Sequence, residues 1–327
     1  MKKEKLLFVP ALAMLLAAGA CSNEENQSQA VDLNTPISLN FGMNTSTKVA
    51  IANPTGFETG DKLGVYLATS DDNVQASLGS GRAVNNIPFS KTATGWDGAI
   101  YWQNTSQWHT LYGYYPYDES LDGTLTSKAV TVAQDQQSDG GKGYKAADCL
   151  WGVNAPTKAT TNTQTMVLNH CMTRVTITLK PGKDITDAEL DAMAESLRIL
   201  ASNGRPVPAT GTFELATGVI TANAQQAAPL TEVAPYYTNA NGSRTYYAIL
   251  LPGTGFTKGE PFISLTATDG TTYVYKLDTS SDLSLEAGKE YIFNLTANKA
   301  GLNIEQFNIA DWTTGGSSSG NIDIIIP

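Results

Sequence analysis

The sequence predicts an all-β protein of two tandem β-sandwich domains with one short helix in the second. Three observations lead there. Many short apolar segments alternate at period two, Gly, Asn, Asp and Pro punctuate them at near-regular spacing, and a single stretch carries a helix-start signature. The length of 327 residues fits about two domains. Charged residues make up only 16% against 41% apolar, so a core can form. A net charge of −10 at pH 7 argues against a nucleic-acid partner, whose phosphates are met by Lys and Arg.

The chain opens with a secretory signal over residues 1–20. Lys2, Lys3 and Lys5 are the basic start, Leu6 to Ala18 is the apolar run, and Ala18-Gly19-Ala20 is the small-residue cleavage site. An apolar run of about 13 residues is too short to span a bilayer. Cys21 follows at once, and the pattern resembles a bacterial lipoprotein signal. That resemblance implies an acylated N-terminal Cys21 (palmitate among its acyl chains) and an outer-membrane partner, each buried CH₂ adding about 0.8 kcal/mol of hold. Plain secretion with cleavage at Ala20 is the alternative. Residues 21–35 are polar and acidic and are expected to form a disordered tether.

The first domain is expected over 36–157. Its leading strand is Ile37, Leu39, Phe41 and Met43 alternating with polar or small residues, one apolar edge and one polar edge. Leu63–Ala68, Ala99–Trp102, Trp108–Tyr115 and Ala129–Val132 read as further strands, with a tight turn at Asp97-Gly98. The polar, Thr-rich stretch 154–165 is the expected domain boundary. In the second domain, 166–327, strands are expected at Arg174–Leu179, Thr245–Leu251, Phe262–Ala267, Thr272–Leu277 and Glu290–Thr296. Thr186-Asp-Ala-Glu189 is a capping box, and Leu190, Met193, Ala194 and Leu197 continue at helical spacing, which predicts a helix over about 187–196. Gly315–Gly320 has a flexible-linker composition, and after it Ile322, Ile324 and Ile326 share one face of a terminal strand, 321–327. A free apolar strand of this kind either pairs with another chain or folds back onto its own sheet.

Chemistry-bearing motifs are sparse. There is no Gly-x-Ser-x-Gly elbow and no His-Glu-x-x-His, and Gly140-Gly-Lys-Gly-Tyr-Lys lacks phosphate-loop spacing and reads as a loop. His109 and His170 read as structural. No enzyme, cofactor or metal is expected. Cys149 and Cys171 lie on separate strand-like segments. A disulfide and two buried thiols both fit the pattern, and geometry decides between them. Trp96, Trp102 and Trp108 lead an aromatic cluster that runs to Tyr117. It serves either as sandwich core or as a surface that stacks on a host or bacterial glycan.

Several segments appear in this order: Gly95-Trp-Asp-Gly-Ala-Ile-Tyr-Trp102, Leu111-Tyr-Gly-Tyr-Tyr-Pro-Tyr117, Leu168-Asn-His-Cys-Met-Thr-Arg-Val-Thr-Ile177, Phe213-Glu-Leu-Ala-Thr-Gly-Val-Ile220, Ala248-Ile-Leu-Leu-Pro252, Leu285-Glu-Ala-Gly-Lys-Glu-Tyr291 and Ile309-Ala-Asp-Trp312. With the lipoprotein-type start, this set resembles the fimbrillin family of Bacteroidetes, the type V pilins and minor-fimbrium-like proteins. The resemblance implies transthyretin-like sandwiches, a surface fimbrium (pilus) and other fimbrial subunits as partners. It also implies an assembly route, in which the first strand is removed by proteolysis and its place is taken by another subunit's C-terminal strand. Family members are usually cut after Arg in the loop behind the first strand. Here the first Arg is Arg82, and Lys48 stands in the likely place. Either a Lys-tolerant protease acts there, or the subunit stays uncut as a membrane anchor. Loss of Ile37, Leu39, Phe41 and Met43 would expose an apolar groove worth roughly 6–12 kcal/mol as an upper bound. Ile322, Ile324 and Ile326 have the shape to refill it.

Overall fold

The computed structural model describes residues 31–43, 57–121, 126–223, 229–240 and 242–312. The expected signal peptide, Cys21, Lys48, Ile322, Ile324 and Ile326 lie outside these residues.

Strand propensity dominates the outcome. In chain order the elements are β1 (Ser38–Met43), β2 (Lys62–Ser70), β3 (Arg82–Lys91), β4 (Trp96–Asp97), β5 (Trp108–Tyr115), β6 (Ser127–Thr131), helix α1 (Ser138–Ala147), β7 (Leu150–Val153) and β8 (Thr163–His170). They continue with β9 (Thr173–Pro181), helix α2 (Asp187–Met193), β10 (Arg198–Leu200), β11 (Thr210–Glu214), β12 (Val219–Ala222), β13 (Glu232–Val233), β14 (Tyr236–Ala240) and β15 (Ser243–Leu250). The last are β16 (Gly255–Phe256), β17 (Pro261–Thr266), β18 (Thr272–Lys276), β19 (Leu283–Ser284), β20 (Lys289–Asn298) and β21 (Gly301–Asp311). The chain is all-β, as its periodicity predicts.

Seven strands form one sheet in the order β1-β8-β7-β5-β2-β3-β4, antiparallel except for the parallel pair β1–β8. Period-two alternation sends its side chains to two cores. Leu63, Val65 and Leu67 of β2 and Leu111 and Tyr115 of β5 line a smaller core with Ile37, Leu39, Ile100 and Trp102. Tyr66, Ala68, Tyr112 and Tyr114, one residue out of step, line a larger core on the other face. Strand twist accumulates across seven strands. The sheet curls until Phe41 on edge strand β1 meets Trp96 on edge strand β4, ring centroids 4.9 Å apart. Gly152 permits the close crossing of β7 and β8, since a Cβ there would lie 2.3 Å from the Val167 carbonyl oxygen.

A five-stranded sheet, β14-β15-β9-β20-β21, faces a four-stranded sheet, β13-β10-β17-β18. Between them Phe262 packs on Phe293 at 5.1 Å and on Phe256 at 4.6 Å. Helix α2 starts at the capping box, where Thr186 Oγ1 accepts from the Glu189 amide at 3.2 Å and Glu189 Oε2 accepts from the Thr186 amide at 2.8 Å. A single 3₁₀ turn, Ala194–Ser196, extends it. Arg244, 2% exposed, pins the helix through Asp187 and Asp191 at 2.9 and 2.6 Å.

The structure departs from the sequence pattern at several places. The stretch 154–165 does not separate the halves: residues 154–162 connect β7 to β8 within one sheet, and 163–165 open β8, which belongs to the first sheet. Its polarity is that of a surface connection. Segment 127–147 departs from the expected first domain in the other direction. Strand β6 pairs with β11, and Val130, Val132 and Tyr144 enter the larger core. The hairpin turn lies between Lys91 and Trp96, not at Asp97-Gly98, and Ala99–Trp102 runs outside any ladder while burying Ile100 and Trp102. The Gly140-rich stretch forms a kinked helix α1. Positive φ at Asp139, Gly140 and Gly141 bends it, and the buried Tyr144 holds it down.

Candidate functional site

The leading strand β1 is an edge strand, held on one side by β8 and leaving its other backbone edge without a ladder. Its register runs from Ser38↔Thr163 to Met43↔Leu168. Alternation puts Ile37 and Leu39 into the smaller core at 1% and 4% exposure, with Phe41 and Met43 half-buried behind them. The groove they fill is walled by Met166, Leu168, Leu150, Phe89 and Trp102. At the start of β1 the Ile37 amide donates to the Ile100 carbonyl at 2.7 Å, and the Ser38 amide to the Asn162 carbonyl at 2.6 Å. Asn162 in turn donates from Nδ2 to the Asp32 carbonyl at 3.0 Å, holding the turn that precedes the strand.

The two described flanks of the segment that carries Lys48 rest on one indole. Phe41 and Phe57 each meet Trp96 edge to face, at 4.9 and 5.0 Å. Phe57 also meets Tyr115 at 5.7 Å. Beside it, Lys145 Nζ pairs with Glu58 Oε2 at 2.6 Å.

The last described residue, Trp312, is buried, and its amide donates to the Gly288 carbonyl at 2.7 Å. Its ring stacks on His170, the final residue of β8, with centroids 3.5 Å apart and planes 4° from parallel. Asp148 Oδ1 lies 2.7 Å from His170 Nδ1. Arg174 sits 5.1 Å from the Trp312 ring and pairs with Glu290 at 2.7 Å. Burial holds the His170 pKa below its ordinary value against the pull of Asp148. The described ends at Met43 and Trp312 therefore both lie at the C-terminal end of β8. Neither the role of Trp312 nor the clamp by Phe57 is legible in the sequence. Both depend on contacts between residues far apart in the chain, and only an apolar residue beside each segment hinted at them.

The aromatic cluster is not a flat sugar platform. Trp102 is 2% exposed, donates from Nε1 to the Thr161 carbonyl at 2.9 Å and packs in the smaller core, so of the two readings the core one describes it and it is not open to a glycan. Trp96 is half-buried between Phe41 and Phe57, and Trp108 carries Lys158 Nζ at 5.2 Å from its ring. His109 is buried, edge-on to Trp102 at 5.0 Å, and burial lowers its pKa. Among the described residues no group of three or more His, Cys, Asp or Glu is placed to hold a metal ion.

A family model described as fimbrillin-like matches residues 47–312. The matched stretch starts after β1 and ends on Trp312. A crystal structure of a candidate cell adhesion protein from Bacteroides ovatus is similar with a TM-score of 0.62 at 20% identity, over 86% of this chain and 99% of that one. A candidate cell adhesion protein from Bacteroides uniformis gives 0.59 at 20% identity, over 85% and 99%. A fimbrial protein from Bacteroides vulgatus gives 0.51 at 13% identity, over 86% and 100%. At these identities the likeness is one of fold. No curated protein matches the chain.

Proposed function

The chain belongs to the fimbrillin-like family, and from that premise we propose that it is a structural subunit of a cell-surface fimbria. Assembly proceeds by proteolysis after Lys48, release of β1, and insertion of a neighbour's C-terminal strand, Ile322, Ile324 and Ile326, into the vacated groove. The precursor is an outer-membrane lipoprotein acylated at Cys21, and its partners are other fimbrial subunits, of its own or a related kind. Adhesion to a host or bacterial surface protein or glycan belongs to the assembled fimbria.

One observation carries this reading: β1 is an edge strand that covers an apolar groove. Only an edge strand can leave without breaking a ladder on both sides. Full burial of side chains such as Ile37 and Leu39 contributes about 1.5–3 kcal/mol each, so the groove left behind strongly favours a replacement. An incoming strand gains its affinity from main-chain hydrogen bonds to β8 and its specificity from alternate side chains in the groove. Donation from one subunit to the next is a heterologous contact, and such contacts build filaments when the rotation does not close.

The test is to treat the purified full chain with a Lys/Arg-specific protease and follow SDS-resistant multimers. The full chain is expected to form a ladder, while a Lys48→Ala chain and a chain ending at Gly320 stay monomeric. Equal behaviour of the full chain and the chain ending at Gly320 would refute donation by the tail.

A further inference from the structure

Strand β8 has an uneven hold on its sheet. Six of its residues pair with β1, whereas its ladder with β7 consists of Leu150↔His170 and Trp151↔Asn169. One step beyond that short ladder, the Cys171 amide donates to the Cys149 carbonyl at 2.8 Å. Cys149 and Cys171 are thus directly opposed across an antiparallel pair, and opposed side chains leave a sheet on the same face. Both enter the larger core, 2% and 6% exposed, and both are thiols in this structure. Opposed residues of an antiparallel pair hold their Cα atoms about 4.5–5.5 Å apart, within the roughly 4.4–6.8 Å that a disulfide spans.

We propose that Cys149 and Cys171 are a disulfide-forming site, oxidised as the chain folds outside the cytoplasm, and that the bond staples β8 to β7. The compartment rests on the surface-subunit reading above; the reaction itself does not. The staple matters when β1 is gone. Residues Thr163 to Leu168 then have no ladder partner, and β8 stays in register only through its last residues. The contact between Asp148 and His170 clasps the same two segments one step away.

The oxidant is the disulfide of a thiol–disulfide oxidoreductase or of glutathione. One cysteine thiolate attacks it, forming a mixed disulfide and releasing one reagent thiol. The second thiolate attacks the chain's own sulfur, closing the Cys149–Cys171 bond and releasing the other reagent thiol. Two electrons pass to the reagent, and the protons lost by the two cysteines balance those taken up by the released thiols. Burial pushes the Cys149 thiol up to about 12, and burial followed by the nearby Cys149 pushes Cys171 well up. Thiolate is therefore scarce in the folded protein, so closure belongs to the folding chain and the finished bond is shielded.

The test uses the full chain with Cys21→Ser, refolded from reduced denaturant with oxidised and reduced glutathione, and in parallel exported to an oxidising periplasm. Peptide mapping should find the Cys149 and Cys171 peptides joined, with no thiol open to maleimide in denaturant. Reduction should lower the unfolding midpoint by about 5 °C, and Cys171→Ser should speed hydrogen exchange in β8. Two titratable thiols under both conditions, or glutathione adducts in place of the bridge, would overturn the site. A bridge without effect on β8 exchange would overturn the staple. A missing multimer ladder in the protease experiment leaves all of these readouts unchanged, so the two readings fail separately.

Discussion

Phe41 and Trp96 stand on opposite edges of one seven-stranded sheet, yet their rings meet edge to face at 4.9 Å and 72°. The contact closes the curled sheet around the smaller core, with β1 as the closing strand. Trp96 also takes Phe57 at 5.0 Å, so a single indole secures both sides of the segment in which cleavage is proposed.

Removing that indole should loosen the strand before it unfolds the protein. Trp96→Ala is expected to cost about 2 kcal/mol, below the range for a fully buried Trp because the ring is half-buried. Urea unfolding measures the loss. Limited proteolysis should show faster cutting at Lys48 and faster release of the fragment that carries β1. Unchanged cutting would mean that the aromatic contacts do not restrain this segment.

Gly152→Ala should act on β8 from the other side. Its new Cβ would meet the Val167 backbone carbonyl, which cannot swing away as a side-chain end can. A cost of about 1–3 kcal/mol is expected, together with faster hydrogen exchange in β7 and β8. Exchange rates equal to those of the parent chain would contradict the close crossing.

The Arg174–Glu290 pair is buried, with side chains 7% and 11% exposed, and lies directly in the parallel register of β9 and β20. Arg174→Met leaves the Glu290 carboxylate with its Thr176 hydroxyl partner at 2.5 Å but without its cation. It should cost about 3–5 kcal/mol, and adding Glu290→Leu should recover much of that loss. A double-mutant cycle gives the coupling directly. Additive losses would show that the two groups do not act as a pair.

Acid should weaken the fold before the carboxylates titrate. Burial lowers both His109 and His170 from the ordinary 6.5. Between the folded and unfolded values the unfolded chain binds more protons, so stability present above 6.5 is lost as pH falls through that window. Each histidine contributes a slope of up to about 1.4 kcal/mol per pH unit. Denaturant midpoints on either side of 6.5 measure it, and His170→Gln should flatten the dependence. Stability that rises on acidification would instead point to a protonated His170 paired with Asp148.

Local patterns in the sequence determined the all-β class, the alternating face of β1 and the capped start of α2. Each rests on residues within a few positions of one another, where side-chain period and a cap's hydrogen bonds are set by neighbours in the chain. Strand β3 carries no legible strand pattern, because Pro88 and a polar centre, Asn85-Asn86, break its alternation. Helix α1 carries no legible helix pattern, because its glycines disfavour helix and only the burial of Tyr144 offsets them. The fate of 154–165, the meeting of Phe41 with Trp96, the stacking of Trp312 on His170 and the opposition of Cys149 to Cys171 were decided by tertiary structure alone. They depend on how strand twist accumulates across a whole sheet, and no short window of sequence contains that sum.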